Sequence, residues 1–138
     1  MQSAWSGAMI KGMVLRCLLV DDSARFLKSA RALLEHQGLA VDVASTAAEA
    51  AQRVGEQRPD VVLLDIDFGD ESGFQLAQNL HAYGRTMGWS AGGPRIIMIS
   101  THAGRDFEEL IDASPAIGFL AKASLSAGAI QELLRGCR

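Results

Sequence analysis

The sequence has little of what several protein classes require. Its 138 residues include two cysteines, Cys17 and Cys137, with neither CxxC spacing nor a paired histidine cluster. This argues against a disulfide scaffold and against a structural zinc site. The longest apolar runs, residues 61–64 and 96–99, are far shorter than the ~20 residues that span a bilayer, so we expect no membrane association. Residues 1–12 lack the basic start and long apolar stretch of a signal peptide, and the expected location is therefore cytoplasmic.

Positive charge is not in excess either. Lysine and arginine number 13 against 16 aspartates and glutamates, which gives a formal net charge of -3. A general nucleic-acid binder needs a basic face that displaces counterions, so we expect no direct contact with nucleic acid. With 49% hydrophobic and 21% charged residues the chain should fold, and its length fits one domain with one core.

Short apolar runs alternate with helical patterns from Val14 onward. The predicted strands are residues 17–20, 40–44, 61–64, 96–99 and 118–121. Each is followed by apolar side chains at helical spacing, beginning near residues 26, 47, 74, 106 and 126. Helical crossovers of this length force parallel strands, so the predicted fold class is α/β, a doubly wound five-stranded parallel sheet covered by helices. Residues 1–13 are predicted to be a flexible tail, and residues 14–138 the domain.

Local signals mark the ends of several predicted helices. Ser23 and Thr46 are placed to cap the first two helices, and Gly38 is placed to end the first. Residues 84–94 are rich in glycine and are predicted to form a loop. In the short helix predicted for residues 106–113, the inward side chains are expected to be Phe107, Leu110 and Ile111.

Polar side chains stand where most of the predicted strands end. They are Asp21, Asp22, Asp65, Ser100 and Lys122. In open parallel sheets, ligands bind beyond the carboxyl ends of the strands, so these side chains should converge. Three converging carboxylates repel one another unless a cation joins them, and Mg²⁺ above all is suited to oxygen ligands of this kind.

This set of groups is suited to phosphoryl chemistry. A metal ion, the Lys122 ammonium and the Ser100 hydroxyl together can hold the oxygens of a phosphoryl group, while a carboxylate receives it. Asp65 is the best candidate for the nucleophile because it ends the most apolar strand. Each residue taken alone has a structural explanation, as a cap, a turn residue or a solvated surface charge. Their joint occurrence in this order favours a functional site.

Residues 14–135 resemble the receiver domain of two-component response regulators. The resemblance lies in Gly73 and in the segments 18–23, 59–65, 96–100 and 118–122. The sequence around Gly118 and Leu125 is most similar to receivers that precede LuxR-type DNA-binding domains, or to their stand-alone relatives. The resemblance implies a flavodoxin-like (βα)5 fold with strand order 2-1-3-4-5.

The resemblance also implies a role for each acidic residue. Asp65 would accept a phosphoryl group from a sensor histidine kinase or a phosphotransfer protein. Asp22 would bind Mg²⁺ directly, Asp21 would act through a bound water, and the backbone carbonyl of Asp67 would be a further ligand. The chain would catalyse only its own phosphoryl transfer and autodephosphorylation and would not otherwise be an enzyme.

The remaining implied roles concern the response to phosphorylation. Ser100 would be the switch hydroxyl, Lys122 would pair with a phosphoryl oxygen, and Phe119 would be the aromatic switch residue. The output surface is expected on residues 106–113, the strand 118–122 and the final helix. Because the sequence ends after that helix without an effector domain, we expect it to signal through a downstream protein partner, with a homodimer left open.

The sequence departs from the family pattern at three positions and in one loop. Gly69 replaces a proline that is common after the acceptor, which predicts a more mobile loop. Ala123 replaces the proline that usually follows the lysine, and Thr101 replaces the usual alanine or glycine. The loop 84–94 is longer than is typical.

Two alternative functions fit parts of the pattern. The first is a receiver-like interaction module that is never phosphorylated, a hypothesis to which Thr101 and Ala123 lend weight. The second is a phosphatase of the haloacid-dehalogenase type, suggested by Asp65 and Asp67 at Asp-x-Asp spacing after an apolar strand. That family places this motif on its first strand, whereas here the paired acids Asp21 and Asp22 come earlier in the chain. Neither a GxGxxG nor a Walker A sequence points to a nucleotide site.

Overall fold

A computed structural model describes residues 14–68, 71–88, 93–101 and 107–136. Its main sheet has five strands, β1 Arg16–Val20, β2 Ala40–Ala44, β3 Val61–Asp65, β4 Arg95–Ser100 and β5 Gly118–Ala121. All neighbouring strands pair in parallel, in the order β2-β1-β3-β4-β5. The predicted five-stranded parallel sheet and its 2-1-3-4-5 order are therefore confirmed.

Five helices connect and follow the strands. They are α1 Ala24–His36, α2 Ala47–Gln57, α3 Gly73–Thr86, α4 Glu108–Ala113 and α5 Ala127–Arg135. Buried side chains of α1 and α5 pack on one face of the sheet, and those of α2 and α3 pack on the other. Every residue of the central strand β3 is buried, which explains why its sequence lacks polar alternation. None of the described helices combines the length and the apolar character needed to cross a membrane.

The predicted helix caps are present. The Ser23 hydroxyl accepts a hydrogen bond from the Phe26 N–H at 3.2 Å, and the Thr46 hydroxyl accepts one from the Glu49 N–H at 3.1 Å. The Glu49 carboxylate in turn accepts a hydrogen bond from the Ser45 N–H at 2.8 Å. The donor in an ordinary capping box is the N-cap residue itself, whereas here it is the residue before the N-cap Thr46. Beyond α1 the chain passes through Gly38 with φ 100°, a left-handed conformation that favours glycine.

Two predictions about the second half of the chain were wrong. Residues 84–86 belong to α3 and not to a loop. Gly84 is buried against the backbone of Gly93, where a side chain would collide, so this glycine permits close packing. Leu110, expected to face inward, is 54% exposed, since α4 is short and only Phe107 and Ile111 lie on its half-buried side.

Other predictions fall on residues outside the described ranges. They concern the tail 1–13, the loop residue Gly69, the start of the predicted helix at Asp106, and Cys137. Cys17, by contrast, is buried in β1. After β3 the chain forms a short antiparallel ribbon in which Asp67–Phe68 pairs with Glu71–Ser72, directly before α3.

Candidate functional site

The carboxyl edge of the sheet brings the predicted acidic residues together. Asp21 and Asp22 follow β1, and Asp65 is the last residue of the neighbouring strand β3. One carboxylate oxygen from each lies within 4.8 Å of the others. Asp21 and Asp65 are buried while Asp22 is exposed, so the cluster, which we call the acidic site, opens to solvent on one side.

The two oxygens of Asp21 have different surroundings. Oδ1 accepts a hydrogen bond from the Ser23 N–H at 2.9 Å, which fixes the carboxylate against the turn into α1. Oδ2 is fully buried and lies 2.5 Å from the Lys122 ammonium, yet it receives no hydrogen bond of good geometry. A buried carboxylate oxygen in this situation is suited to a cation.

Lys122 brings a positive charge to the acidic site. It follows β5 and begins a single 3-10 turn, Lys122–Ser124, and its side chain is 15% exposed. Its ammonium also lies 3.7 Å from Oδ1 of Asp65, so one charge is shared between two buried carboxylates. A third neighbour is the ring of Phe26, whose centroid lies 4.4 Å from the ammonium nitrogen.

The surroundings of Asp65 disfavour its negative charge. Burial raises the pKa of this carboxyl, the charge of Asp21 raises it as well and Asp22 contributes less, so that the pKa reaches about 6 in all. The Lys122 ammonium and a hydrogen bond from the backbone N–H of Asp67 oppose this rise. Within the part of the chain that the structure describes, one ammonium does not balance three carboxylates, and the donor set of oxygens fits a hard divalent cation such as Mg²⁺.

The other predicted site residues occupy the same edge. Ser100 is buried at the end of β4, next to the exposed Thr101, and is one residue beyond the Asp65 partner in the strand register. Asp67 is exposed just after β3. Phe119 is half-buried in β5 and packs against the core on the α2 and α3 face.

Two contributors were not predicted as such from the sequence. Phe26 appeared only as an apolar residue at helical spacing, and its position in the first turn after the paired acids is the signal that could have placed it near the site. Gly73 appeared only within the family resemblance. A side chain on Gly73 would collide with the backbone carbonyl of Asp65, so this glycine lets α3 start directly against the end of β3.

Comparison with known proteins shows the family of this chain. The family model of the response regulator receiver domain matches residues 17–135. The alginate biosynthesis transcriptional regulatory protein AlgB of Pseudomonas aeruginosa is 27% identical over 122 residues, which cover 88% of this chain and 23% of AlgB. The transcriptional regulatory protein KdpE of Mycobacterium tuberculosis is 32% identical over 96 residues, or 70% of this chain and 39% of KdpE. The chain thus spans less than half the length of these relatives.

Solved structures share the fold. A two-component response regulator of the LuxR family from Aurantimonas superposes with a TM-score of 0.74 at 27% identity, covering 89% of this chain and 86% of that one. The chemotaxis response regulator CheY4 of Vibrio cholerae gives 0.69 at 21% identity, covering 88% and 96%. The match of the family model over most of the chain, together with this fold, shows that the chain belongs to the receiver-domain family of two-component response regulators.

Proposed function

We propose that this chain is a phosphoacceptor receiver that takes a phosphoryl group on Asp65 and signals by changing conformation. Receiver domains are generally signalling modules and not enzymes. The observation that carries the proposal is the placement of the Lys122 ammonium between the buried carboxylates of Asp21 and Asp65. Such a group neutralises charge where a phosphoryl oxygen would arrive.

Asp21, Asp22, Asp65 and the backbone carbonyl of Asp67 would hold Mg²⁺, which when bound supplies positive charge to the phosphoryl oxygens. One carboxylate oxygen from each of Asp21, Asp22 and Asp65 lies within 4.8 Å of the others, which supports a cation at this place. The raised pKa of Asp65 also supports a cation at the site, because added positive charge would favour the ionised form of this carboxyl.

The residues of the chain then carry the transfer. A carboxylate oxygen of Asp65 forms a bond to phosphorus, while the bond from phosphorus to the histidine nitrogen of the donor breaks. The donor imidazole, protonated at its other ring nitrogen, keeps that electron pair and leaves as a neutral ring. Lys122 then pairs with a phosphoryl oxygen, and the Ser100 hydroxyl donates a hydrogen bond to another, leaving space beside Phe119.

The proposed function also implies which partners this chain has. A sensor histidine kinase or a phosphotransfer protein would supply the phosphoryl group, and a downstream protein would bind the changed surface, in the cytoplasm. AlgB and KdpE are named as transcriptional regulatory proteins, but this chain matches 23% and 39% of them. With a net charge of -3, the chain is proposed to act through protein contact without touching nucleic acid.

The phosphatase alternative loses support from the fold. The Asp-x-Asp pair starts at the end of the third strand in chain order, β3, whereas the phosphatase family places it on the first strand. The paired acids Asp21 and Asp22 occupy the first strand's end instead. Turnover of a small phosphate ester would restore this alternative.

Intact-mass analysis tests the proposed function. The protein is incubated with a small phosphodonor such as acetyl phosphate, with Mg²⁺ or with a chelator. We expect a mass increase of one phosphoryl group that needs Mg²⁺ and is absent in Asp65→Asn. Asp67→Asn is the matched control, since it removes a nearby carboxylate in the same way and should still be phosphorylated. An adduct that persists in Asp65→Asn would contradict the proposal.

A further inference from the structure

The ring of Phe26 forms one wall of the space that holds the Lys122 ammonium. The ammonium nitrogen lies 4.4 Å from the ring centroid, 2.5 Å from Asp21 Oδ2 and 3.7 Å from Asp65 Oδ1. The face of an aromatic ring carries negative electrostatic potential and attracts a cation within about 6 Å of its centroid. The charge of Lys122 is therefore held by two carboxylates and one uncharged ring.

The position of this ring is set by the turn that follows β1. The Ser23 N–H donates to Asp21 Oδ1 at 2.9 Å, and the Ser23 hydroxyl accepts from the Phe26 N–H at 3.2 Å. This one turn thus holds the Asp21 carboxylate, which pairs with Lys122, and the backbone of Phe26, whose ring faces the ammonium. The ring also packs against the core on the α1 face, which limits how far it can turn away from the ammonium.

An uncharged wall has a different effect from a third carboxylate. A carboxylate would hold the ammonium in a fixed ion pair and would repel an arriving phosphoryl group. The ring attracts the ammonium over a broad surface and carries no net charge, so this attraction does not depend on whether the ammonium pairs with Asp21 or with Asp65. The site thus keeps its cation when the charge on Asp65 changes.

We propose that Phe26 is a positioning residue, which holds the Lys122 ammonium beside the acceptor by a cation–π interaction and so strengthens binding of the phosphoryl group. This inference rests on the proposed function of Asp65. The alternative is that Phe26 only packs against the core on the α1 face, where it is partly buried. In that case the shape of its side chain would matter, and the electrons of its ring would not.

A series of fluorinated phenylalanines at position 26 separates these two roles. Each added fluorine weakens the negative potential of the ring face while changing its size little. The measurement is the affinity of the Mg²⁺-loaded protein for beryllofluoride, a phosphoryl mimic. We expect affinity to fall stepwise along the series, by roughly three- to tenfold at its end. The same series at Phe74, a half-buried ring in the first turn of α3, is the matched control and should leave affinity unchanged.

Two substitutions with standard amino acids complete the test. Phe26→Leu keeps apolar volume but removes the ring, and we expect it to weaken beryllofluoride binding, while Phe26→Tyr should restore it. Urea unfolding of each variant measures any loss of fold. An affinity that follows the free energy of unfolding rather than the fluorine number would overturn the inference.

A readout in the metal-free protein distinguishes this inference from the proposed function. The ε-methylene protons of Lys122 should show an upfield ring-current shift by NMR, which Phe26→Leu removes. Absence of this shift would overturn the inference. Tight beryllofluoride binding with a flat fluorine series would overturn the role of Phe26 alone. If beryllofluoride failed to bind the parent protein at all, both the proposed function and the inference would fail.

Discussion

Asp65 lies where its negative charge is disfavoured, because it is buried beside the carboxylate of Asp21. Its pKa rises from 3.8 to about 6, so between these values the folded protein binds more protons than the unfolded chain. The stability of the metal-free protein should therefore fall as pH rises through this window. This loss of stability is complete above the pKa that Asp65 has in the folded protein, and it amounts to ~2–3 kcal/mol.

A substitution at the acceptor tests this pH dependence. We expect Asp65→Asn to stabilise the metal-free protein at about pH 7.5 and to have little effect at about pH 4.5, as measured by urea unfolding with a chelator present. Asp112→Asn, on the exposed side of α4, should show no such difference. An equal effect of Asp65→Asn at both pH values would show that the raised pKa is wrong.

Two side chains beside the acceptor should slow its chemistry. Thr101 is bulkier than the residue usual in the family, and Asp67 adds an exposed carboxylate just after β3. Both should hinder the approach of anionic donors and of attacking water. We expect Thr101→Ala and Asp67→Asn each to speed phosphorylation by acetyl phosphate and subsequent hydrolysis about twofold to fivefold, the size of a ~0.4–1 kcal/mol effect. Unchanged rates in both variants would contradict this argument.

The sequence was enough to predict which residues lie together at the carboxyl edge of the sheet, because their meeting depends only on the order of the strands along the chain. Asp21, Asp22 and Asp65 each end an apolar run, and parallel strands bring such ends together. The contact of Phe26 with Lys122 could not be predicted, since it depends on how α1 is oriented over the far strand β5. No local pattern in the sequence encodes the distance between those two side chains.

At the scale of elements, the end of β3 and the start of α3 are in close contact near the site. Gly73 starts α3 directly against the backbone carbonyl of Asp65, where no side chain fits. We expect Gly73→Ala to destabilise the fold by ~2–3 kcal/mol and to lower phosphorylation of Asp65, because the helix must move away from the acceptor.

A second glycine supplies the control for this junction. Gly128 lies in α5, and a side chain there would meet only the Ser126 hydroxyl at 3.9 Å. We expect Gly128→Ala to stabilise the protein by ~0.5–1 kcal/mol, since it restricts the unfolded chain and favours the helix. Chemical denaturation measures both variants. Gly73→Ala with parent-like stability would contradict the close-contact argument.

The elements themselves differ in how well sequence predicted them. The buried strands β3 and β4 came out nearly as expected because their apolar runs are continuous and bounded by polar residues. Helix α3 was predicted too short, since Gly84 suggests a loop in sequence but permits close packing against Gly93 in the fold. In α4, a stripe of three apolar residues predicted burial, but Leu110 faces solvent.

At the scale of the whole molecule, the acidic site and the predicted output surface lie on neighbouring strands. Ser100 ends β4, and Phe119 lies in the adjacent strand β5, which precedes α5. Movement of the Ser100 hydroxyl toward a phosphoryl oxygen would change the space beside Phe119. Reorienting a half-buried ring of this kind is worth ~2 kcal/mol, enough to change a partner's affinity more than tenfold.

NMR of the backbone amides tests this connection. On adding Mg²⁺ and beryllofluoride, we expect shifts at Phe119 and along α4 as well as in the loops around Asp65. Asp65→Asn under the same conditions is the control and should show none of these shifts. Changes confined to the neighbourhood of Asp65 in the parent protein would refute the output surface.

The most direct test of the central claim is to identify the residue that carries the phosphoryl group. Borohydride reduces an aspartyl phosphate to homoserine, a change that tandem mass spectrometry can assign to a single position. After treatment with acetyl phosphate and Mg²⁺, we expect homoserine at Asp65 and at no other aspartate, and none when a chelator replaces Mg²⁺. Homoserine at Asp21, Asp22 or Asp67 instead, or at no position in the Mg²⁺-treated protein, would contradict the account.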